Sequence, residues 1–366
     1  MSAPKPLNIL IAPLDWGLGH ATRSIPIIKA CVDRGHTVVI ASTGRSLALL
    51  RREFPELTCL DVPAYDIAYQ EKGSFILKIL GQLGKIFSGI RREHRATKEI
   101  VRLHQIDLVI SDNRYGFYHK KIHSVIITHQ MMVKIPSFVI AEPFVYGWLQ
   151  LQHKRFNTIW IPDVAGEANI SGDLSHKYPV LKRTHYIGIL TRFSRPLSLP
   201  AAEKTILAII SGPEPQRTLF ERLIVTQGRL LPHQFILIQG ISDEHRDEQL
   251  TDNIRVISHL PGKELYDLIL RCDVIISRGG YSTLMDLALL NKKCIFVPTP
   301  GQTEQEYLVK ELGEKGLVVA GDQSTFRLED ALEKVQHTKG FYIPSNEQTF
   351  IPFLEAAIAE AVKSKV

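Results

Sequence analysis

Short apolar runs alternate with helical stretches along this 366-residue sequence, and this alternation restricts the folds that the chain can adopt. The runs are rich in β-branched residues and are bounded by turn residues. Short buried strands that alternate with helices are typical of βαβ units, which build parallel sheets. The predicted strands are 7–12, 37–41, 108–111, 124–128, 158–161, 205–210, 235–238, 274–277 and 294–297, and the predicted helices are 23–34, 219–228, 262–271, 283–290 and 304–312.

A proline-bearing stretch, 190–204, separates two such series. We therefore expect an α/β protein of two Rossmann-like domains, 1–192 and 193–345. A helix within 346–366 would pack back toward the first domain. Two doubly wound parallel sheets facing across a cleft would hold ligands outside the carboxyl ends of their strands.

Composition excludes several classes of protein. With 45% hydrophobic and 22% charged residues, the chain can bury two cores and is not disordered. It has no apolar run of the roughly eighteen residues that a membrane-spanning helix needs, and its N-terminus lacks the pattern of a signal peptide. The cysteines are dispersed, which favours a reduced cytoplasm over a disulfide scaffold or a zinc site: Cys31, Cys59, Cys272 and Cys294.

The two halves of the sequence differ in charge. Residues 1–192 hold 25 basic and 15 acidic side chains, or +10, whereas the remainder holds 19 and 23, or −4. This asymmetry suggests that the first half faces something anionic, with chance as the alternative. No RNA-binding motif or interleaving of aromatic and basic residues accompanies the charge, so we expect no nucleic-acid partner.

The first strand leads into the segment DWGLGHATR and then a helix. Gly17 and Gly19 would let a ligand approach the backbone beside the helix N-terminus. Thr22 occupies the position of the third glycine of the dinucleotide fingerprint, which disfavours NAD. His20 follows the glycines directly and is a candidate general base, because the pKa of histidine lies near neutrality. A helix-capping histidine is the alternative.

Two further strands also end in polar residues, in the segments ISDNRYG and THQ. Asp112 is the second candidate for the base, and each polar residue here could instead serve a turn. The residues expected on the acceptor side are Gly17, Gly19, Arg23, His129 and Gln130.

The second half contains two small-residue turns before helices. Ser211 and Gly212 form one candidate phosphate cradle, with a proline-rich turn as the alternative. The stronger signal is the segment SRGGYSTLMD, in which Asp286 lies where a carboxylate could accept both hydroxyls of a ribose. Together with the polar loop around residues 302–306, this pattern predicts a nucleotide-sugar site.

The segments SRGGYSTLMDLALL and CIFVPTPGQTEQEY resemble the donor-binding motif of glycosyltransferase family 28, the MurG-like enzymes of the GT-B fold. The segment DWGLGHATRSIPI is similar to the N-terminal glycine loop of that superfamily. The resemblance implies that Asp286, usually glutamate in the family, holds the ribose of a UDP moiety. It also implies that Gln305 and Glu306, a Gln-Gln pair in the family, bind the donor sugar.

The same resemblance assigns the rest of the donor site. The segment that includes His259 and Leu260 would contact uracil through its backbone. The residues assigned to the diphosphate are Arg278, Gly279, Gly280, Ser282 and Thr283. The implied reaction is a single inverting displacement that moves an N-acetylhexosamine from a UDP-sugar to a hydroxyl. It uses His20 or Asp112 as base and needs no metal ion or other cofactor.

Evidence on the acceptor comes from apolar residues at helical spacing within 74–90 and a basic run, 91–102. An apolar face beside cations is typical of proteins that lie on anionic lipid. The apolar run 135–151, which includes Phe144 and Trp148, could add a second contact surface. A lipid-linked acceptor and a peripheral position on the inner membrane face follow as hypotheses. The alternative is that these segments pack within their own domain.

Three other functions stay open. A UDP-sugar hydrolase would use His20 to activate water. A UDP-sugar 2-epimerase would need several acidic residues around the sugar, which Glu304 and Glu306 supply only in part. A non-enzymatic nucleotide-sugar-binding protein would need the donor site alone.

Overall fold

The computed structural model describes residues 6–64, 75–135, 138–194, 196, 203–241 and 246–364, without the side chains of 75–83 and 203. The chain divides into two compact units. The N-terminal unit comprises Met1–Glu167, Asp173–Thr191 and Glu347–Val366, and the C-terminal unit comprises Ala168–Gly172 and Arg192–Asn346. The change from the first unit to the second at Thr191–Arg192 lies next to the expected boundary.

The N-terminal unit contains a parallel seven-stranded sheet in the order β3-β2-β1-β4-β5-β6-β7. This order is that of a doubly wound Rossmann-like sheet. The strands are β1 (Asn8–Pro13), β2 (Thr37–Ser42), β3 (Thr58–Asp61), β4 (Leu108–Asp112), β5 (His123–Ile127), β6 (Thr158–Ile161) and β7 (Thr184–Tyr186). The helices are α1 (Gly19–Asp33), α2 (Gly44–Glu53), α3 (Phe75–Leu103), α4 (Glu142–His153), which follows a 3₁₀ turn (Val139–Ala141), and α5 (Asp173–His176).

The C-terminal unit repeats the design, with the strand order β10-β11-β9-β8-β12-β13-β14. Its strands are parallel except for β10, which pairs antiparallel with β11. The strands are β8 (Glu203–Ile209), β9 (Gln234–Ile238), β10 (Asp247–Thr251), β11 (Ile254–Ile257), β12 (Cys272–Ser277), β13 (Lys293–Phe296) and β14 (Val319–Ala320). The helices are α6 (Gln216–Gly228), α7 (Gly262–Arg271), α8 (Tyr281–Ala288), α9 (Thr303–Glu314) and α10 (Leu328–Val335).

Two segments join a unit from elsewhere in the chain. The last helix, α11 (Ile351–Lys363), groups with the N-terminal unit and contacts β4 and β5. The segment Ala168–Gly172 groups with the C-terminal unit, where the Nζ atom of Lys315 donates to the carbonyl of Asn169 at 3.2 Å. No motif or composition change in the sequence predicts this second exchange.

Both cores are built from strands that helices cover on each face. In the N-terminal unit, apolar side chains of β1, β2 and β4 pack with Ile100 of α3. In the C-terminal unit, one cluster joins β8, β9, β11, β12 and β13 to α6 and α10. Burial on both faces explains why these strands appear as continuous apolar runs in the sequence.

All nine predicted strands occur, and their ends differ from the prediction by at most two residues. The strands that sequence patterning missed include the edge strands β3, β10 and β14. These are partly exposed or very short, so they lack a long apolar run. Among the described residues, no helix is both long enough and apolar enough to cross a bilayer. All four cysteines are free thiols.

Candidate functional site

Three strand ends meet at one edge of the N-terminal sheet. Pro13 of β1 pairs with Asp112 of β4, and Asp112 pairs with Ile127 of β5. The segments that follow these strands are therefore neighbours. Asp112 is the last residue of β4, His20 lies in the first turn of α1, and His129 follows β5. The parallel pairing of β1, β4 and β5 thus brings His20 close to Asp112, which lies 92 positions away in the sequence.

The loop after β1 is held against the start of α2. Oδ1 of Asp15 accepts a hydrogen bond from the backbone N–H of Ser46 at 3.0 Å, and the Ser46 hydroxyl donates to the carbonyl of Gly17 at 3.2 Å. Gly17 has a φ of 83°, a conformation that favours glycine. Gly19 begins α1. The two glycines therefore shape the loop that delivers His20.

His20, Arg23 and Asp112 form a compact polar cluster. Nδ1 of His20 lies 3.0 Å from Oδ1 of Asp112 and 2.7 Å from Nη2 of Arg23. Arg23 binds the carboxylate of Asp112 in a bidentate manner, with Nε donating to Oδ2 at 2.7 Å and Nη2 donating to Oδ1. Nη1 of Arg23 lies 3.4 Å from Nδ1 of His129, which adds a fourth member. Arg23 and Asp112 are almost fully buried, whereas the His20 side chain is 13% exposed.

The electrostatics of the cluster give its two candidate bases different properties. Burial by itself would raise the pKa of Asp112, but the charges of Arg23 and His20 and their hydrogen bonds outweigh it and hold that pKa at about 2. Burial lowers the pKa of His20 below 6.5, and the charge of Arg23 lowers it further, while Asp112 offsets part of the shift. At neutral pH, Asp112 is therefore an ionised, weakly basic carboxylate, and His20 is a neutral imidazole.

The tautomer of His20 decides which ring nitrogen can take up a proton. If Nδ1 carries the hydrogen, it donates to Asp112 and leaves the lone pair on Nε2. If Nδ1 instead accepts from Arg23, the hydrogen lies on Nε2. Only the first tautomer makes Nε2 a general base.

Gln130 lies beside the cluster in the turn after β5. Its backbone N–H donates to the hydroxyl of Thr128 at 3.1 Å, and that hydroxyl donates to Oδ1 of Asn113 at 3.2 Å. Asn113 has a φ of 57° and follows Asp112 directly. Asn113 and Thr128 were not predicted as site residues, because neither belongs to a recognisable motif. Their hydrogen bond joins the turns after β4 and β5.

In the C-terminal unit, the loops after β8, β12 and β13 also share one sheet edge. Ser277 of β12 pairs with Ile209 of β8 on one side and with Phe296 of β13 on the other. Gly212 has a φ of 115° and lies close to Thr299, since an added Cβ would be 3.6 Å from the threonine hydroxyl. His259 and Leu260 follow β11 farther along the same edge and are half-buried.

The two glycines of the turn before α8, Gly279 and Gly280, have different surroundings. A Cβ on Gly279 would overlap Cγ2 of Val309, so this glycine lets the turn pack against α9. A Cβ on Gly280 would have no neighbour nearer than Nε2 of Gln305, at 4.0 Å. Ser282 and Thr283 lie in the first turn of α8 and are half-buried. The open side of the turn is therefore at Gly280.

The guanidinium of Arg278 does not lie where the sequence predicted. It is buried and donates to the carbonyls of Val297, Pro298 and Gln216 at 2.8–3.1 Å, with its carbon 4.1 Å from the ring centroid of Phe220. Burial lowers its pKa to about 10. Arg278 thus ties the turn after β13 to the start of α6, instead of facing a diphosphate as expected.

The predicted sugar-binding pair contacts the turn before α9. Oε1 of Gln305 accepts from the backbone N–H of Thr299 at 2.9 Å, and Nε2 of Gln305 donates to Oε1 of Gln302. Oε1 of Glu306 accepts from the N–H of Gly301 at 2.8 Å, although its residue is exposed. Both residues lie in the first turn of α9, and their side chains accept hydrogen bonds from the backbone of the loop after β13.

Asp286 lies on α8, one turn beyond the Gly-Gly turn, and forms an ion pair that the sequence did not reveal. Oδ2 of Asp286 accepts from Nε of Arg192 at 3.0 Å. Arg192 belongs to a proline-bearing linker that has no motif, so only the folded chain could identify this partner. Among the described residues, no group of three or more His, Cys, Asp or Glu side chains is arranged to hold a metal ion.

Residues 215–361 match the glycosyltransferase family 28 C-terminal domain. An uncharacterized glycosyltransferase of Methanopyrus kandleri is 24% identical over 337 residues, which cover 87% of this chain and 91% of that protein. A UDP-N-acetylglucosamine–N-acetylmuramyl-(pentapeptide) pyrophosphoryl-undecaprenol N-acetylglucosamine transferase of Sulfurihydrogenibium sp. is 30% identical over 175 residues, 45% of this chain and 49% of that one.

Solved structures share the fold. The glycosyltransferase of kitacinnamycin has a TM-score of 0.62 and 17% identity, with 99% of this chain and 96% of that chain covered. MurG of Acinetobacter baumannii has a TM-score of 0.55 and 14% identity, with 96% of this chain and all of that chain covered. These similarities establish the two Rossmann-like domains as those of the GT-B fold.

Proposed function

We propose a specific reaction for this chain, which is a glycosyltransferase of the GT-B fold and whose residues 215–361 belong to the glycosyltransferase family 28 C-terminal domain. In this reaction the enzyme transfers a sugar, an N-acetylhexosamine, from a UDP-sugar to an acceptor hydroxyl. The displacement is single, inverts the anomeric centre and uses no metal ion.

The observation that carries the mechanism is the contact between His20 and Asp112. A general base needs a lone pair near the reacting hydroxyl, a pKa near or below the working pH, and a partner that fixes its tautomer. The 3.0 Å contact between Nδ1 and the ionised carboxylate supports the last requirement, and the lowered pKa of His20 supports the second. A hydrogen on Nδ1 requires that Nη2 of Arg23, 2.7 Å from the same nitrogen, donates to Asp112 and not to the ring.

In the proposed step, the acceptor oxygen bonds to the anomeric carbon as the bond between that carbon and the β-phosphate oxygen breaks. The hydroxyl proton moves to Nε2 of His20, and UDP leaves with its negative charge. Because Arg278 is committed to carbonyls, the charge on the leaving group would be stabilised by backbone N–H groups at the open Gly280 end of α8 and by the turn at Gly212.

The donor assignment is supported by the arrangement of the C-terminal sheet edge. Turns with glycines, the carboxylate of Asp286 and the amide of Gln305 follow neighbouring strands or lie on the helices that begin there. A ribose, a diphosphate and a hexose need those three kinds of group. The relative from Sulfurihydrogenibium is named for a UDP-N-acetylglucosamine donor, which favours the same donor here.

A lipid-linked acceptor is part of the proposal. Apolar side chains around α4 are exposed, and the exposed part of α3 is basic. The two helices touch where the rings of Phe87 and Trp148 meet edge to face at a centroid distance of 6.2 Å.

The exposed apolar residues are Phe138, Val139, Ile140, Phe144 and Leu151, which we call the α4 apolar face. The exposed basic residues described on α3 are Lys85, Arg91, Arg92, Arg95, Lys98 and Arg102, which we call the α3 basic face; Glu99 is also exposed. The apolar positions expected at 76–83 lie outside the described side chains.

The test is to incubate the purified enzyme with a panel of UDP-sugars, with and without a membrane lipid extract, and to analyse the products by mass spectrometry. We expect UDP release that depends on the extract, together with a lipid whose mass has increased by one sugar. A donor panel that includes UDP-N-acetylglucosamine, UDP-glucose and a thymidine diphosphate sugar would identify the nucleotide and the hexose.

Two results would contradict the proposal. Rapid release of UDP without any acceptor would indicate a hydrolase in which His20 activates water. Transfer from a thymidine diphosphate sugar alone would contradict the assignment of the donor. His20→Ala in the same assay tests whether either reaction depends on the proposed base.

A further inference from the structure

We infer that Arg192 is a positioning residue for nucleotide recognition, acting by holding the carboxylate of Asp286 in place for the ribose hydroxyls. This inference rests on the proposed donor site, in which Asp286 binds the ribose. Arg192 contacts Asp286 twice, through Nε to Oδ2 at 3.0 Å and through its backbone N–H to Oδ1 at 3.4 Å. One residue therefore touches both oxygens of the carboxylate.

The position of Arg192 is itself fixed by the residues that follow it. The ring of Phe193 is buried and stacks on Tyr266 of α7, with centroids 5.0 Å apart and an interplanar angle of 24°. The hydroxyl of Tyr266 donates to the carbonyl of Ser194. These contacts hold the linker against the C-terminal unit at the point where the chain enters it. The backbone N–H of Arg192 is thereby held next to α8.

The Arg192 side chain is also restrained. Its guanidinium carbon lies 4.8 Å from the ring centroid of Phe193, within the range of a cation–π contact. The side chains of Arg192 and Asp286 are only 22% and 13% exposed, so solvent and salt screen this ion pair less than a surface pair. A restrained, partly buried arginine can orient a carboxylate, which a mobile surface lysine would do poorly.

The pairing is compatible with a ribose on the same carboxylate, because the Asp286 side chain is 13% exposed and a carboxylate oxygen can accept more than one hydrogen bond. Aspartate is one methylene shorter than the glutamate that the family resemblance leads one to expect. Its oxygens therefore lie closer to α8, and a partner that fixes their direction gains importance.

The test compares how well variants distinguish UDP from 2′,3′-dideoxyuridine diphosphate, which lacks both ribose hydroxyls. Binding of each nucleotide is measured by isothermal titration calorimetry on the full chain. Wild type should bind UDP more tightly by roughly ten- to hundredfold, as hydrogen bonds to a charged group allow. Asp286→Ala should bind both nucleotides within about threefold of each other.

Arg192→Ala should lose most of this discrimination while it still binds the dideoxy nucleotide with nearly wild-type affinity. Arg192→Lys should restore only part of it, because lysine lacks the planar guanidinium. Arg255→Ala is the matched control, since Arg255 forms a bidentate pair with Asp247 at 2.8 Å in the same unit but on the exposed β10–β11 hairpin. It should leave the discrimination unchanged.

Retention of wild-type discrimination by a folded Arg192→Ala protein would overturn the inference, and so would tighter binding of UDP to that variant. An equal loss of affinity for both nucleotides, with the ratio of the two dissociation constants unchanged, would show that Arg192 has only a structural role. That result would also overturn the inference. Failure of the donor proposal gives a different result: wild type would bind neither nucleotide or would bind both equally.

Discussion

At the scale of single residues, Asp112 shows how two opposing effects on one carboxylate set its role. Burial raises the pKa of an acid, yet the buried guanidinium of Arg23 forms two hydrogen bonds with this one and holds its pKa at about 2. Asp112 therefore stays charged at every working pH. The titrating member of the cluster is His20, whose pKa is lowered.

The first prediction concerns the pH dependence of catalysis. A protonated imidazole cannot accept a proton, so kcat/KM should fall as the pH falls through the pKa of His20. Because burial and the charge of Arg23 lower that pKa, the acidic limb of the plot of kcat/KM against pH should be centred below pH 6.5. Steady-state kinetics between pH 4.5 and 8.5 would measure it. A limb centred at or above pH 7 would contradict the assignment of His20, and His20→Ala should lack the limb altogether.

The second prediction concerns Asp112→Asn, which removes the charge but keeps the shape. The amide can no longer hold the tautomer with its hydrogen on Nδ1, so kcat should fall by roughly 10²–10⁴-fold while the affinity for UDP stays near wild type. Arg23 would lose its buried counter-ion, so the melting temperature should fall too, and kinetics should be measured well below it. A near-normal kcat in a folded variant would exclude a role for Asp112 in fixing the tautomer of the proposed base, His20.

At the scale of elements, α8 depends on two adjacent glycines with different surroundings. Gly279 packs against Val309 of α9, whereas Gly280 faces open space beside Gln305. A sequence motif presents them as one phosphate-binding unit. The structure assigns them different functions: the contact between α8 and α9 requires Gly279, whereas Gly280 leaves the N-terminus of α8 accessible.

The third prediction compares these two glycines. Gly279→Ala should lower the free energy of unfolding by about 1–3 kcal/mol, because its Cβ would overlap Cγ2 of Val309. Gly280→Ala should cost less than about 1 kcal/mol, mainly as a poorer N-cap, but should weaken UDP binding by narrowing the open side of the turn. Urea denaturation and calorimetry would separate the effects. Equal losses of stability would contradict this distinction.

At the scale of the whole molecule, charge and exposed apolar surface coincide in the N-terminal unit. The α3 basic face and the α4 apolar face lie on two contacting helices, and the first 192 residues carry the +10 excess. Cations attract an anionic bilayer, and apolar side chains can enter its interface. This combination motivates the proposed lipid-linked acceptor.

The fourth prediction is binding to vesicles. The protein should co-sediment with vesicles of phosphatidylglycerol and phosphatidylcholine more than with phosphatidylcholine alone, and salt should weaken the binding. Replacing Ile140 and Phe144 by serine should lower the partition at least about tenfold. Leu230→Ser is the control, because Leu230 is as exposed as Phe144, at 77%, but lies in the C-terminal unit. Equal effects of the two changes would contradict a specific membrane face.

The two Rossmann-like domains could be predicted from the amino-acid sequence alone, because strands buried on both faces are continuous apolar runs between helices. It also predicted that His20, Asp112 and His129 lie near one sheet edge, since polar residues that follow parallel strands gather there. Edge strands escaped prediction because exposure removes their apolar pattern. The donor motif was recognisable because glycines, a carboxylate and amides follow one another within about thirty residues.

The pairing of charged side chains became apparent only in the folded chain. Arg278 lies in the motif but is buried among carbonyls, whereas Arg192 lies in a linker without a motif and holds Asp286. Arg23 is likewise joined to Asp112, 89 positions away. The physical reason is that the apolar pattern of a strand or helix involves residues that are close together in the sequence. The partner of a charged side chain depends on distances between segments, and these exist only once the sheets have formed.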